Sequence, residues 1–268
     1  MQQEFNGQGV LVTGGASGLG LAAAQGFAAA GARVVICDLD GAAAEAAAEA
    51  LGAAGATGPG MVHLGLQGDV ASETDVARMV AAAEAHCGGL RVLINSAGIP
   101  DSFRPTVEQE TAAWQRLIDV HLTGTWMMCR AVAPGMLAAG GGAIVNVSSI
   151  AGVLGLTRRN AYSAAKAGIG MLTRVLACEW AQQGVRVNAV APGYMMTPFF
   201  RRLLDEGKLD GARILRRTPA GRFGTPKHIA DAMMFLASER AEFITGVVLP
   251  VDGGYMAHGA AEDASVHA

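Results

Sequence analysis

The chain has 268 residues, 51% hydrophobic and 16% charged, with a formal net charge of −3. This balance excludes a mainly disordered chain and allows one large core. No basic run with interleaved aromatics occurs, so no nucleic-acid partner is expected, and no apolar stretch of about 20 residues escapes Gly, Pro or charge, so no membrane span is expected.

In chain order, the opening segment MQQEFNGQGV lacks the basic start and apolar run of a secretory signal, which makes a cytoplasmic protein the expectation. Strands are predicted at Gly9–Thr13, Arg33–Cys37, Met61–Gln67, Arg91–Asn95, Ala143–Ser148, Val185–Ala191 and Val247–Val251. Most are continuous apolar runs, the pattern of parallel strands buried on both faces. Between them, helices are predicted at Leu19–Ala30, Ala42–Ala54, Glu73–His86, Thr111–Leu137, Ala161–Gln183 and Pro226–Ala237. The Ala/Gly-rich stretch Gly41–Gly60 reads as one of these helices with its stop, not as a linker. Strand and helix alternating in this way predict an α/β fold, a parallel sheet covered on both faces. The long insertion Tyr194–Thr218 follows a strand end, where ligands bind in such sheets, and reads as a lid.

Cys37, Cys87, Cys129 and Cys178 are too far apart for a zinc knuckle or a redox CxxC pair, and the six histidines do not cluster with acids or thiols. No metal site is expected.

The first strand runs into Thr13-Gly14-Gly15-Ala16-Ser17-Gly18-Leu19-Gly20 and then a helix. Glycines there let the chain turn sharply and approach a pyrophosphate, whose charge a helix N-terminus favours. In a chain with 37 glycines the loop alone is a weak signal; its place between strand and helix carries the argument. The second strand ends in Asp38, about 20 residues on, where an acid accepts hydrogen bonds from an adenosine ribose and repels a 2′-phosphate. Ser17, Leu39 and Asp40 bring no cation, and Arg33 stands at the far end of the strand. NAD is therefore expected over NADP; the plainer reading of Asp38 is a strand-end turn residue.

Ser149 is followed thirteen residues later by Tyr162, and Lys166 comes four further on. Tyr162 and Lys166 would project from one face of a helix. A phenol, with pKa about 10, is a poor base at neutral pH, and a neighbouring ammonium favours its phenolate. That constellation suits proton transfer to or from an alcohol oxygen during hydride transfer, with Ser149 holding the same oxygen. As a bare pattern, Y-x-x-x-K is more often an ordinary surface pair.

Taken together and in this order, the motifs resemble the short-chain dehydrogenase/reductase superfamily over nearly the whole chain, from the TGxxxGxG loop to VDGG. The resemblance implies a Rossmann-type, doubly wound α/β fold in a single domain of residues 1–268, its seven-stranded sheet mostly parallel, with a lid at about 194–218. It implies that Gly14, Ser17, Gly18, Leu19, Gly20, Asp38 and Leu39 hold the pyrophosphate and adenosine, with Asp69 and Val70 at the adenine. Asn95, Ala97 and Gly98 fall in an NNAG-like element whose second Asn is Ser96 here. Pro192, Gly193, the backbone of Met195 and the hydroxyl of Thr197 are implied at the nicotinamide end, with Lys166 on its ribose. The closing ITGVVLPVDGG resembles the family's last strand, often part of a tetramer interface, so a homotetramer is expected.

One position departs from the family pattern. His121 stands where Asn is usual in an N-x-x-G element that holds a helix kink and a water-linked proton path. A neutral imidazole donates from one nitrogen and accepts at the other, so it can replace the amide in a relay. The alternatives are an impaired site or a packed helix residue. Ile150, Ala151, Leu154, Tyr194, Met196 and Phe199, with Ile99, Leu156 and Phe200, are the expected substrate residues, mostly apolar. Arg104, Arg158 and Arg159 either meet an acidic group or, as is commoner beside clefts, are solvated. The expected activity is NAD-dependent hydride exchange with a small secondary alcohol or ketone. The alternatives are a 3-oxoacyl-thioester reductase using NADPH and a cofactor-binding scaffold or sensor without turnover.

Overall fold

A computed structural model describes residues 4–53, 62–260 and 263–264. Seven strands form one sheet in the order β3-β2-β1-β4-β5-β6-β7, every neighbouring pair parallel. They are β1 Gly9–Thr13, β2 Arg33–Asp38, β3 Leu64–Gln67, β4 Val92–Asn95, β5 Gly142–Val147, β6 Val185–Pro192 and β7 Val248–Val251. The seven strands stand where the apolar runs predicted them, within about three residues. Met61, Ala54 and most of the tail after residue 260 lie outside the described residues.

Burial follows position in the sheet. β1 and β4, at its centre, are buried at every residue, whereas the edge strands β3 and β7 have none that is fully buried. Helices on both faces account for this. On one side α1 (Gly18–Ala29), α2 (Gly41–Ala53) and α9 (Pro226–Ala237) close a core around Phe27, Ile36, Ile229 and Met233. On the other, α3 (Glu73–Cys87), α5 (Gly124–Ala138) and α6 (Asn160–Trp180) close one around Met79, Leu93, Met128 and Met136. Each fully buried side chain of this size contributes roughly 1.5–3 kcal/mol of transfer free energy.

The predicted single helix over Thr111–Leu137 is interrupted. It runs as α4 (Thr111–Ile118), a π-helical turn over Asp119–Thr123 and then α5. Helix periodicity alone does not register one extra backbone residue per turn, so the sequence pattern read straight through it. The insertion after β6 contains α7 (Pro198–Asp205) and α8 (Gly211–Arg216). Thr197 and Asp210 cap them, accepting from the backbone N–H of Phe200 and Arg213.

The strand order reverses direction between β1 and β4, and a crevice opens there beyond the carboxyl ends of the strands. A buried amide network fixes its floor. Asn95 Nδ2 donates to Asn146 Oδ1 at 2.9 Å, and Asn146 Nδ2 donates to Thr173 Oγ1 at 3.0 Å, joining β4, β5 and α6.

Candidate active site

The crevice is a cleft of about 1220 Å³, larger than a pocket for one small molecule alone. At one end β1 turns into α1. Gly14 has φ +61°, and a Cβ there would meet the Ala97 backbone at 2.7 Å. A Cβ on Gly20 would lie 2.2 Å from the Gly14 carbonyl oxygen, so the turn closes only with glycine at both. Thr13 Oγ1 accepts from the N–H groups of Ser96 and Ala97, each at 3.2 Å, tying the two loops together. The Ser17 hydroxyl does not cap α1, leaving the helix N-terminus facing the cleft without a side-chain acceptor. These features suit a diphosphate.

Asp38 ends β2 and reaches back to this loop: Oδ2 accepts from Ala16 N–H at 3.1 Å and Oδ1 from Asp40 N–H at 3.3 Å. Asp69 is held by Ala71 N–H at 2.9 Å and by Arg116 at 2.7 Å. Gly14, Ser17, Gly18, Leu19, Asp38, Leu39, Asp69, Val70, Ala97 and Gly98 all line the cleft, as do Pro192, Gly193, Met195 and Thr197. Two of the expected cofactor residues do not. Asn95 is buried beneath the floor in the amide network, and Gly20 sits behind the loop against Gly14. Arg33 is at the far end of its strand, as expected, donating to the Cys87 carbonyl.

The reacting groups converge at the other end. Ser149 leaves β5 in extended conformation and its Oγ accepts from Ala151 N–H at 3.1 Å, starting a short helical turn at Ile150–Gly152. Tyr162 lies in the first turn of α6 and lines the cleft together with Ser149. Lys166 Nζ is buried, donates to the Val147 carbonyl at 2.6 Å and stands 5.5 Å from the Tyr162 ring centre. Ser148 Oγ donates to the Lys166 carbonyl at 2.9 Å, which pins α6 to the end of β5.

The electrostatics differ from the sequence expectation in one respect. Burial raises the Tyr162 pKa, and the cation that pulls it back down is Arg159, with the Ser149 hydroxyl next. Lys166 is itself brought down to about 7, by burial first and Arg159 second. Arg159 is not a solvated arginine. Its guanidinium lies 4.2 Å from the Tyr162 ring centre and 4.6 Å from that of Phe103, and it pairs with the buried carboxylate of Asp101 at 3.0 Å. The spacing of Arg159, three residues before Tyr162, is the sequence signal for this contact. Asp101 and Phe103 carried none.

His121 lies in the π turn and is buried against Tyr162, the two rings edge to face at 5.4 Å. Its Nε2 is 3.1 Å from Ile99 N and 3.0 Å from Ile99 O, and Nδ1 has no partner. Burial, then Lys166, pushes its pKa down to about 3, so the ring is neutral at working pH. A Cβ on Gly98 would strike the ring at 2.5 Å, so the loop after β4 and the π turn fit each other.

Of the expected substrate residues, Ile150, Ala151, Tyr194 and Phe199 line the cleft, with Ile99, Leu156 and Phe200. Leu154 and Met196 do not; they pack behind the wall in a small cluster with Ile150, Phe200, Ile214 and Tyr255. Arg104 also lies off the cleft, whereas Arg158 lines it. The insertion after β6 brings in residues outside the expected set: Arg202, Lys208, Arg213 and Arg217, together with Tyr255 from beyond β7. The paired arginines of this insertion, 201–202 and 216–217, were the visible sign. Among the described residues no group of His, Cys, Asp and Glu is placed to hold a metal ion, and no helix is long and apolar enough to cross a membrane.

A parallel sheet with a glycine turn at its crossover and a Ser–Tyr–Lys group across the cleft defines a nicotinamide-dependent oxidoreductase. Residues 14–256 match the family described as enoyl-(acyl carrier protein) reductase. The chain is 43% identical to cis-4-hydroxycyclohexanecarboxylate dehydrogenase of Sinomonas cyclohexanicum, covering 96% of this chain and 100% of that protein. It is 40% identical to 2-(S)-hydroxypropyl-CoM dehydrogenase 3 of Xanthobacter autotrophicus, again over 96% and 100%. The solved structure of levodione reductase superposes with a TM-score of 0.89 at 32% identity, over 95% of this chain and 100% of that one. The chain belongs to the short-chain dehydrogenase/reductase superfamily and is an oxidoreductase acting on CH–OH donors.

Proposed function

We propose that this enzyme uses NAD, and that Tyr162 is the acid/base that exchanges a proton with the substrate oxygen. The observation that carries the cofactor choice is Asp38, a carboxylate at the β2 end that lines the cleft. A ribose can donate both hydroxyls to such a group, whereas a 2′-phosphate meets like charge. Arg78, on that side of the sheet, is spent on Asp75 and the Gln67 carbonyl. The same carboxylate argues against the NADPH-linked thioester reductase, and the complete Ser149–Tyr162–Lys166 group argues against a scaffold without turnover.

The glycine loop and the α1 N-terminus would hold the diphosphate, with Asp69 and Val70 at the adenine. Pro192, Gly193, Met195 and Thr197 would border the nicotinamide. That ring, when bound, supplies or accepts the hydride. Ser149 donates to the substrate oxygen and fixes it beside the Tyr162 hydroxyl. In alcohol oxidation Tyr162 takes the hydroxyl proton; in ketone reduction it gives one back. Lys166 binds the ribose and, near its pKa of about 7, exchanges protons readily. His121, neutral and with Nδ1 unpartnered, continues that proton route in place of the usual amide. The 194–218 segment acts as a lid on a single 1–268 domain.

A homotetramer in the cytoplasm is the proposed state; Met171 and Val175, exposed on α6, offer an apolar face for a second copy. The test of the function is a screen of secondary alcohols with NAD and NADP, following reduced nicotinamide. A kcat/KM higher with NADP than with NAD would overturn the cofactor assignment.

A further inference from the structure

The two ends of the cleft carry opposite charge. At the substrate end, Arg158, Arg159, Arg202, Lys208, Arg213 and Arg217 line the walls against a single carboxylate, Asp210. Asp210 caps α8, its Oδ1 accepting from Arg213 N–H at 2.9 Å. Arg159 is neutralised by Asp101, and Lys208 by Glu206 at 2.7 Å. Among the described residues Arg158, Arg202, Arg213 and Arg217 have no ion pair, and Arg213 and Arg217 share one short helix with its cap. One helical turn separates them, so both project from one side of α8 and its C-terminal cap.

Arg217 is held in place without being neutralised. Its guanidinium lies 4.7 Å from the Tyr255 ring centre, and Tyr255 is buried against Tyr194, the rings edge to face at 5.2 Å. Arg159 and Arg217 both favour the Tyr194 phenolate, and all three side chains line the cleft. On the same cleft Arg159 lies over the Tyr162 ring, while Arg217 lies over Tyr255, which stacks edge to face on Tyr194. A planar guanidinium fixed against an aromatic face presents its donors as a fork, which matches two carboxylate oxygens. Arg158, which also lines the cleft, holds φ +64°, a conformation a side chain adopts at a cost and one that clusters at ligand sites.

We propose that Arg217, with Arg213, forms a carboxylate subsite, and that the substrate is a hydroxy acid whose carbinol lies at Tyr162 and whose carboxylate lies under the lid. This rests on the secondary-alcohol reading of Tyr162 and Ser149. The subsite fixes which part of the substrate faces the lid, and so which face of the carbinol carbon meets the cofactor.

The test compares 4-hydroxycyclohexanecarboxylate with its neutral counterpart 4-methylcyclohexanol in the wild type, Arg217→Gln, Arg217→Lys and Arg213→Gln/Arg217→Gln. The wild type should favour the acid in kcat/KM. That ratio should fall about 30-fold in Arg217→Gln, the scale of one charge-assisted hydrogen bond, further in the double variant, and less in Arg217→Lys. Binding of 4-oxocyclohexanecarboxylate and of 4-methylcyclohexanone to the NADH complex, followed by nicotinamide fluorescence, reads the subsite without turnover. Equal binding of the two ketones, or an acid-to-neutral ratio unchanged in the double variant, overturns the subsite. A higher KM for NAD with the ratio intact also overturns it, assigning Arg217 to the cofactor. Selective ketone binding without turnover on any alcohol would instead overturn the role of Tyr162 and leave the subsite standing.

Discussion

The adenosine end and the substrate end of the cleft are built in different ways. At the adenosine end two carboxylates are tied to nearby backbone, Asp38 to the glycine loop and Asp69 to its own turn, and Asp69 also pairs with Arg116. At the substrate end the charges are long cationic side chains from two separate segments, near residues 158–159 and 202–217, with the Tyr255 ring beside them. The first end is a rigid receptor whose shape is set by main chain. The second is set by side chains and a lid, and is where relatives on one fold can differ in substrate.

The largest effect is expected where both ends meet the chemistry. Tyr162→Phe should lower kcat by about 10²–10⁴-fold, the usual contribution of a positioned acid/base, with NADH affinity kept. Full turnover in that variant would remove Tyr162 from the reaction. Next, Asp38→Ala should narrow the preference for NAD over NADP by about 100-fold, because a like-charge clash of a few kcal/mol is relieved. The ratio of the two kcat/KM values measures it. An unchanged ratio would reduce Asp38 to a residue that holds the Ala16 turn.

The same contrast explains what could be read from sequence. β1, the glycine loop and Asp38 interact within about thirty residues, through backbone geometry that residue type dictates directly, and nearly all of that end was legible. Asn95 and Gly20 were the exceptions: the Asn95 amide is used by Asn146, fifty-one residues away, and Gly20 packs behind the loop against Gly14. At the substrate end, Leu154 and Met196 are apolar and in the right segments, yet they face the cluster behind the wall. Which way a loop side chain faces depends on Ile214 and Tyr255, contacts that no local pattern encodes. The π turn escaped for a related reason, since Asp119–Thr123 keeps the composition of a helix.

A smaller effect is expected at His121, between the two ends. His121→Asn should keep substantial turnover and His121→Leu should lose most of it; equal rates would take His121 out of the proton path. The ring also links stability to pH. Its folded pKa is depressed from 6.5 to about 3, so its contribution is complete above 6.5 and is lost as pH falls toward 3. The loss is at most about 1.4 kcal/mol per pH unit. Urea unfolding of His121→Asn should show a flatter decline between those pH values than the wild type.

The smallest effect, and the most discriminating, concerns the Arg159–Asp101 pair. Arg159 favours the Tyr162 phenolate and disfavours the Lys166 ammonium, while Asp101 opposes it at the phenol. Replacing Arg159 by Gln should therefore raise both pKa values and move the acidic limb of alcohol oxidation to higher pH. Replacing Asp101 by Asn removes the opposing charge and should move that limb to lower pH. Both variants break the same buried ion pair and both should lose stability, so a merely structural pair would shift the two profiles in the same direction or not at all. Opposite shifts in kcat against pH, with thermal stability lowered in both, would show that the charge at the substrate end sets the proton affinity of Tyr162.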